Sequence, residues 1–508
     1  VSSNVLFLVF VEKLTGSVIV TNFVLVFILY FSPFLGFYLL ASELKVKPFN
    51  SFLISSFYAA NPFTQMYLSA LNQWNTFSIV IIPISFFLIL RYYNHNVKLF
   101  FFYGIISSAS SFSFTNPPTF AAIHISMLLS ICIVSYYYKW QFNVLDIFKK
   151  FTIVLSSFIL FNAWWVINLL SLTRYNMGIY HYSSAQSWLE TVGAYAGPVL
   201  AKAFLLLTFA SNALNTDAIY FSSPVSIIIS TLPIILILTS IFYLKIKEKT
   251  ICIYILIIVL LSMFFMKGLQ NPFGILYQFI FKHVPLFYIF KSPTEKFGII
   301  HIFFLSLLLL FVLNNYTRQM HYKCAIVVLV TYLLFCFIPV FTGNLIPEYS
   351  NGRFGTTSRK FQDRLEYQMF RNYINNDTLI YRVLSLPAMH NYQVLFPNYG
   401  GKNYSGNDMT MYNLNKSYLS TSHGVPLQGL LFQHKNISLK SLKKIYGLFN
   451  IKKLIVNKDL LPWYGYVGDS NAKELQYIFN NHFPKKEIGN FVVYDNTDGF
   501  IPHLYAAH

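Results

Sequence analysis

The chain has 508 residues, of which 55% are hydrophobic and only 11% charged, against roughly 25% charged in an ordinary soluble chain. This composition excludes a water-soluble globule and is explained by repeated apolar runs of about 16 to 25 residues, each approaching the roughly 30 Å hydrocarbon core as a helix. The formal charge of +19 resembles that of a nucleic-acid binder only until its placement along the chain is considered.

Residues 1–11 are apolar, stop at Glu12 and Lys13, and are too short to cross a bilayer. They read as an interfacial strip or as the end of a crossing whose first part lies upstream. About ten crossings follow, near 17–41, 49–62, 76–91, 99–114, 119–137, 151–170, 223–243, 251–266, 297–313 and 324–342. One alternating set of short loops holds Lys45 and Lys47, Arg91 and Lys98, Lys139 with Lys149 and Lys150, Lys245 with Lys247 and Lys249, and Arg318 with Lys323. By the positive-inside rule these loops face the cytoplasm. They hold 12 of the 19 basic residues before Thr342, so much of the net charge is a topology signal. The opposite set, 61–75, 115–118, 171–222, 267–296 and the tail, then faces outward, which puts the protein in the cell membrane as a multi-pass chain with its C-terminal domain outside.

Within the sixth crossing Asn162, Trp164, Trp165 and Asn168 read as interhelical packing and hydrogen-bonding groups. His124 and His301 read as ordinary helix-associated histidines, since nothing else resembles a haem-carrying bundle. The four cysteines all fall in the apolar part, at spacings that exclude a cysteine-based zinc or iron–sulfur site.

Two outward segments carry the candidate chemistry. Residues 173–190 are rich in polar and aromatic groups and contain Arg174, Trp188 and Glu190; Gly193, Gly197 and Pro198 lead into a second apolar stretch, 199–209, which contains Lys202. A full crossing at 199–209 would invert every later loop against the charge rule, so a re-entrant or interface-parallel helix is expected. The loop from Lys267 has the same character, with a short apolar helix expected at 275–281 and then Phe290-Lys291-Ser292-Pro293-Thr294-Glu295-Lys296-Phe297-Gly298 at the start of a crossing. Arg174, Lys202, Lys291 and Lys296 oppose the inside bias and gather at the outer level. With Trp188 they form the candidate substrate-binding set, suited to the phosphate of a polyprenyl-linked substrate whose lipid lies in an apolar groove. Interface anchoring is the plainer reading of the same residues. Glu190 and Glu295 are the candidate catalytic bases, able to accept an acceptor hydroxyl proton, although Glu295 also fits a simple pairing with Lys291 or Lys296.

The tail, 342–508, has ordinary polarity and enough length to bury its own core. A helix is expected at 362–375, a strand at 378–386, irregular chain at 387–429, a helix at 438–449, a strand at 451–456, a helix at 472–481 and a strand at 491–494. This alternation predicts a small α/β domain behind the membrane domain 1–341. Its Tyr, Asn and Gly content suits carbohydrate contacts as well as plain surface loops. Glycosylation-type triplets at Asn376, Asn403, Asn415 and Asn436 agree with an external location without establishing it.

Phe57-Tyr58-Ala59-Ala60-Asn61-Pro62-Phe63, Asn162-Ala163-Trp164-Trp165, Pro285-Leu286-Phe287 with the Phe290 to Phe297 run, and Leu448-Phe449-Asn450-Ile451-Lys452-Lys453-Leu454-Ile455-Val456 together resemble the polytopic GT-C glycosyltransferases, in particular the arabinofuranosyltransferase-like group. The resemblance implies a GT-C-like all-α membrane domain with an extracytoplasmic α/β domain, and transfer of a sugar from a polyprenyl phosphate at the outer face. The family's usual acidic residue in the first outward loop has no counterpart in 61–75, which contains no Asp or Glu. The chain is then either truncated at its N-terminus or a noncatalytic relative. Three functions stay open: a glycosyltransferase-like protein handling a lipid-linked sugar, a noncatalytic anchor or assembly subunit of a surface-glycan complex, and a transporter. The expected partners are a lipid-linked glycan, membrane lipid and a further membrane protein, with no nucleic acid. No cofactor is evident, and a divalent cation is compatible with the chemistry.

Overall fold

In the computed structural model the chain divides into two compact units, Val1–Ile346 and Pro347–His508. The structure describes residues 11, 13–16, 18–69, 73–114, 116–139, 143–176, 224–241, 244, 246–269, 273–316, 319–341, 349–352, 355–358, 364–386, 394–399, 402–406, 414–419, 439–458, 479–497 and 500.

The described part of the first unit is helical: α1 (Val18–Glu43), α2 (Pro48–Ala60), α3 (Pro62–Ser69), α4 (Gln73–Arg91), α5 (Asn96–Ala109), α6 (Ser111–Phe114), α7 (Pro117–Lys139), α8 (Val144–Asn176), α9 (Pro224–Ile241), α10 (Ile246–Met266), α11 (Gly274–His283), a 3₁₀ turn at Phe287–Phe290, α12 (Pro293–Asn314) and α13 (Gln319–Phe341). Among the described residues four helices are long and apolar enough to cross a membrane, at Pro117–Tyr138, Glu248–Met266, Pro293–Asn314 and Gln319–Ile338. Of the other expected crossings, α2 and α5 have 13 and 14 residues, which at about 1.5 Å per residue rise only some 20 Å. Ile253, Ile257, Leu260 and Leu261 on α10 and Val327, Val330, Leu334 and Ile338 on α13 are exposed at helical spacing. Water would penalise such stripes, and lipid covers them.

α12 is the central post. It packs along α10 and also meets α2, α4 and α7; Phe303 lies 6.1 Å from Phe37, 6.3 Å from Tyr58 and 5.8 Å from Phe86, edge to face each time. α5 and α8 approach closely because residue 104 is glycine: a Cβ there would sit 2.4 Å from the Phe161 ring. Across this contact Asn162 Nδ2 donates to Ser107 Oγ at 3.0 Å, and within α8 Trp165 Nε1 donates to Asn162 Oδ1 at 2.9 Å. The interhelical hydrogen bond expected of Asn162 is thus what the structure contains, while Trp165 bonds within its own helix; Trp164 is exposed, and the side chain of Asn168 lies outside the described residues. His124 and His301 are both buried, each with Nδ1 at hydrogen-bonding distance of a backbone carbonyl, Phe120 O at 2.9 Å and Val259 O at 3.3 Å.

The second unit contains a five-stranded sheet in the order β6 (Ser417–Leu419), β3 (Arg382–Leu386), β7 (Ile451–Asn457), β9 (Phe491–Asp495), β8 (Lys485–Ile488). β6, β3 and β7 run parallel, and β9 is antiparallel to both β7 and β8. Strand alternation sends Val383, Ile455 and Val493 to one face, against Tyr367, Phe370 and Ile374 of α14 (Leu365–Asn375). Leu384, Leu454, Val492 and Tyr494 go to the other, against Leu442 and Tyr446 of α15 (Leu439–Leu448). A helix on each face of the sheet makes an α/β layered domain. Two residues after α15, Asn450 takes the left-handed conformation (φ 58°) that asparagine tolerates after a helix.

Three expectations need correction. The segment 387–429 is not wholly irregular: β4 (Val394–Tyr399) and β5 (Lys402–Gly406) pair antiparallel in a second sheet with β1 (Tyr349–Gly352) and β2 (Gly355–Ser358), and β6 lies further on. Glycine, asparagine and proline in these strands hid the alternation. The strand expected from 378 starts only at Arg382, because Asp377 Oδ1 accepts the Leu379 amide at 3.1 Å in a tight turn. β8 was not foreseen at all: three of its four residues are exposed and charged, so it has no apolar signature. Of the helix expected at 472–481, residues 479–481 are described as helix and 472–478 lie outside the described residues.

Candidate functional site

The site forms where α10 ends and α12 begins. Thr294 Oγ1 donates to Met266 O at 2.8 Å, and the rings of Phe265 and Phe297 stack with centroids 4.9 Å apart, so the two helix ends are level. The expected short apolar helix is α11, whose 10 residues rise about 15 Å, too little to cross unaided. Its Tyr277 hydroxyl donates to Phe290 O at 2.9 Å. Tyr277, Phe287, Phe290 and Phe297 pack with Phe265 as an aromatic cap over the end of the helix pair. Phe273 and Leu286 take left-handed conformations, φ 67° and 63°, at the entry to α11 and to the 3₁₀ turn; for bulky residues this is uncommon and is held by the packed cap.

The motif around Asn61 reaches the same place from the other side of the sequence. Asn61 Oδ1 accepts the Thr64 amide at 3.0 Å, an N-cap geometry for α3 with Pro62 at the first helical position. Asn61 Nδ2 returns to Tyr58 O at 2.6 Å, so the break between α2 and α3 satisfies its own polar groups. Phe63 lies against Gly298 of α12, where a Cβ would come within 2.3 Å of its ring. Gln65 Nε2 donates to Cys336 O at 2.7 Å, which ties α3 to α13.

Three lysines and one carboxylate collect at this level. Lys296 is buried at 4% exposure, with its Nζ 3.5 Å from Glu295 Oε2. Lys291, on the turn before α12, is half-buried, and burial draws its pKa below the ordinary lysine value. Lys267, directly after Met266, is buried; its Nζ stands 5.1 Å from the centroid of the Phe264 ring and 5.8 Å from that of Phe273, and burial draws its pKa down as well. The sequence reading took Lys267 only as a loop boundary. A lysine ending an apolar run, followed within a few residues by an aromatic before a short helix, was the available signal.

Of the candidate residues, Lys296 and Glu295 are thus in contact, and Lys291 lies on the turn before the same helix. Arg174 falls on α8 with its side chain outside the described residues, and Trp188, Glu190, Lys202 and the stretch 199–209 also lie outside them. Among the described residues no group of three His, Cys, Asp or Glu is placed to hold a metal. Glu295 already faces a lysine, so the described donors do not make a divalent-cation site, which needs several oxygen ligands.

No family model matches the chain, and no curated protein matches it. The chain is similar to a solved structure of arabinofuranosyltransferase AftD from Mycobacteria, at 12% identity and a TM-score of 0.44. That match covers 96% of this chain and 36% of the other, so this chain spans little more than a third of that protein.

Proposed function

We propose that this protein binds a polyprenyl-phosphate-linked sugar at the outer face of the membrane, as a glycosyltransferase-like protein. One observation carries the reading: a buried Lys296, paired with the partly exposed Glu295, stands with Lys267 and Lys291 at the aromatic-capped end of two apolar helices. A buried ammonium needs polar or anionic company, and three lysines stand at this end of the helix pair. A phosphate ester accepts several charge-assisted hydrogen bonds, and the apolar helix faces below would take the isoprenoid chain. Arg174, Lys202 and Trp188 complete the set from the preceding outward segment. In this arrangement about ten crossings put the basic loops in the cytoplasm and the second unit outside.

Binding without transfer is the second reading, and a specific observation favours it. Glu295 is engaged by Lys296 at 3.5 Å, so the one described carboxylate here faces an ammonium of its own helix rather than an open position for a substrate hydroxyl. Glu190 remains the other candidate base. A chain that binds the lipid-linked sugar without transferring it would act as an assembly subunit beside a catalytic membrane protein.

The experiment is a titration of the purified protein, in nanodiscs, with a short-chain polyprenyl-phosphate sugar and with the uncharged polyprenol. Lys267→Gln/Lys291→Gln should weaken binding of the phosphate ligand at least tenfold, on the order of 1.4 kcal/mol, and leave polyprenol binding and the melting temperature unchanged. Equal affinity for both ligands in the unaltered protein, or no loss in the double variant, would leave these lysines as membrane anchors.

A further inference from the structure

The five-stranded sheet of the second unit is electrically lopsided. Its strand register places the start of β3, of β7 and of β8 and the end of β9 along one edge: Arg382 pairs with both Ser417 and Ile451, Lys453 with Asp495, and Lys485 with Tyr494. Among the described residues, six basic ones lie along that edge, namely Arg382, Lys416, Lys452, Lys453, Lys485 and Lys486, against the carboxylates of Asp377 and Asp495. Those two are engaged by Lys452 and Lys453, each at 2.9 Å, and the edge keeps a net positive charge. Among the described residues of the opposite edge, Lys458 is paired to Glu487 at 3.0 Å and Asn490 is bonded to Glu366.

The same basic edge carries large apolar side chains in the open. Ile380 is 79% exposed and Leu379 48%, on the loop entering β3, and Leu448 is 66% exposed just before β7. The loop is anchored: Lys416 Nζ donates to Asp377 O and to Leu379 O at 2.5 and 2.7 Å, and Asn450 Nδ2 reaches Ile380 O at 3.4 Å. A fixed loop that points isoleucine and leucine outward within a field of lysines has the chemistry of a bilayer interface, in which apolar prongs enter the acyl boundary and ammonium groups meet anionic headgroups.

We propose that this edge docks on the anionic lipid surface of the membrane that holds α13. The chain itself argues for that occupant: α13 ends at Phe341 and β1 begins at Tyr349, so the intervening residues extend at most about 28 Å. A domain tethered so closely meets that surface at high effective concentration, and weak contacts then suffice.

The test uses the full chain with Cys324→Ser, which removes the exposed thiol, in nanodiscs of phosphatidylcholine with or without phosphatidylglycerol. A nitroxide at Ile380→Cys reports collisions with oxygen and with a water-soluble nickel chelate; Lys458→Cys, at the opposite edge, is the reference. With phosphatidylglycerol present, the label at 380 should gain oxygen access and lose nickel access, and the label at 458 should stay in water. High salt should reverse the change, and Lys485→Gln/Lys486→Gln should shift the docked population by about fivefold per lysine. A water-like label at 380 in both lipids, or equal shifts at 380 and 458, overturns the proposal. Concentration-dependent spin–spin broadening at 380 overturns it in favour of a second copy of the chain. Because the Lys267 and Lys291 titration reads a different unit, either proposal can fail alone.

Discussion

α12 and α13 are consecutive, 22 and 23 residues long, and both are long and apolar enough to cross a bilayer. Yet 89% of the apolar stretch of α12 is buried inside the protein, against 28% for α13. Apolarity brings a helix into the membrane and says nothing about which helix occupies the centre. What separates the two is their other residues. α12 carries Gly298, where Phe63 enters, and the buried polar groups Thr294, Lys296, His301 and Ser306. In lipid the association of helices rests on close packing and interhelical hydrogen bonds, and those residues supply both.

The contrast can be broken most sharply at the glycine. Gly298→Leu would drive a side chain into the Phe63 ring and is expected to cost about 3 kcal/mol or more, read as loss of the monodisperse protein in detergent. A Leu substituted for Val330 on the outer face of α13 should leave the melting temperature unaltered. If both variants behave alike, α12 is not the central post.

Truncation gives the next largest effect. Phe303→Ala removes a fully buried ring from its contacts with Phe37, Tyr58 and Phe86, and about 3 kcal/mol is expected from the cavity. Leu334→Ala, at a residue 62% exposed, should cost well under 1 kcal/mol, because lipid replaces the lost contact. Thermal unfolding of the pair in nanodiscs measures the difference. Near-equal losses would mean that α13 is covered by protein rather than lipid.

A smaller effect sharpens the account of how α13 is held. Gln65→Leu removes the bond to the Cys336 carbonyl, at about 1 kcal/mol, and hydrogen exchange in α13 should quicken more than in α12. Uniform exchange in both would show the bond to be incidental.

The smallest effect lies in the second unit, where charge rather than close packing is the variable. Partial burial raises the pKa of Asp377, but the hydrogen bonds from Lys452 and the Leu379 amide, with the charges of Lys452 and Lys453, together outweigh it, and the balance falls below the ordinary carboxylate value. Because the folded-state pKa lies below the unfolded one, this stabilisation is present above about pH 4 and is lost as the pH falls through the folded value. Asp377→Asn should flatten the acid limb of unfolding for this unit, followed by protease susceptibility, and an unchanged acid limb would assign that loss to other groups.

How much of this was legible follows from which residues carry each feature. The helices α7, α10, α12 and α13 were readable because an unbroken apolar run has few other fates. Their neighbours were not, since Gly298 and Phe63 are 235 positions apart and nothing local links them. The layered tail was readable at β7, where Ile451 to Asn457 is buried on both faces, and unreadable at β8, whose exposed charges mimic a loop. At the site, the motif around Lys291 and Lys296 was found through its charge against the topology rule. Lys267 was missed because a lysine after an apolar run is the commonest way for a crossing to end. Pro62 reads from the sequence as a helix breaker and Asn61 as the start of a loop, but their joint task, a self-satisfied turn between α2 and α3, requires knowing that Thr64 and Tyr58 close around Asn61.

The exposed lysines of β8 have a consequence at the scale of many molecules. Proteins confined to a membrane meet their own copies far more often than they would in free solution, and an open sheet edge is a template on which a neighbour's strand can add. β8 ends the five-stranded sheet with Lys485, Lys486 and Glu487 all exposed. An identical strand laid against it in parallel register would bring like charges side by side along its length. At the other end β6 has three residues, too few to template much. Among the described residues, then, neither end of this sheet offers a neighbouring copy a long uncharged strand to pair with.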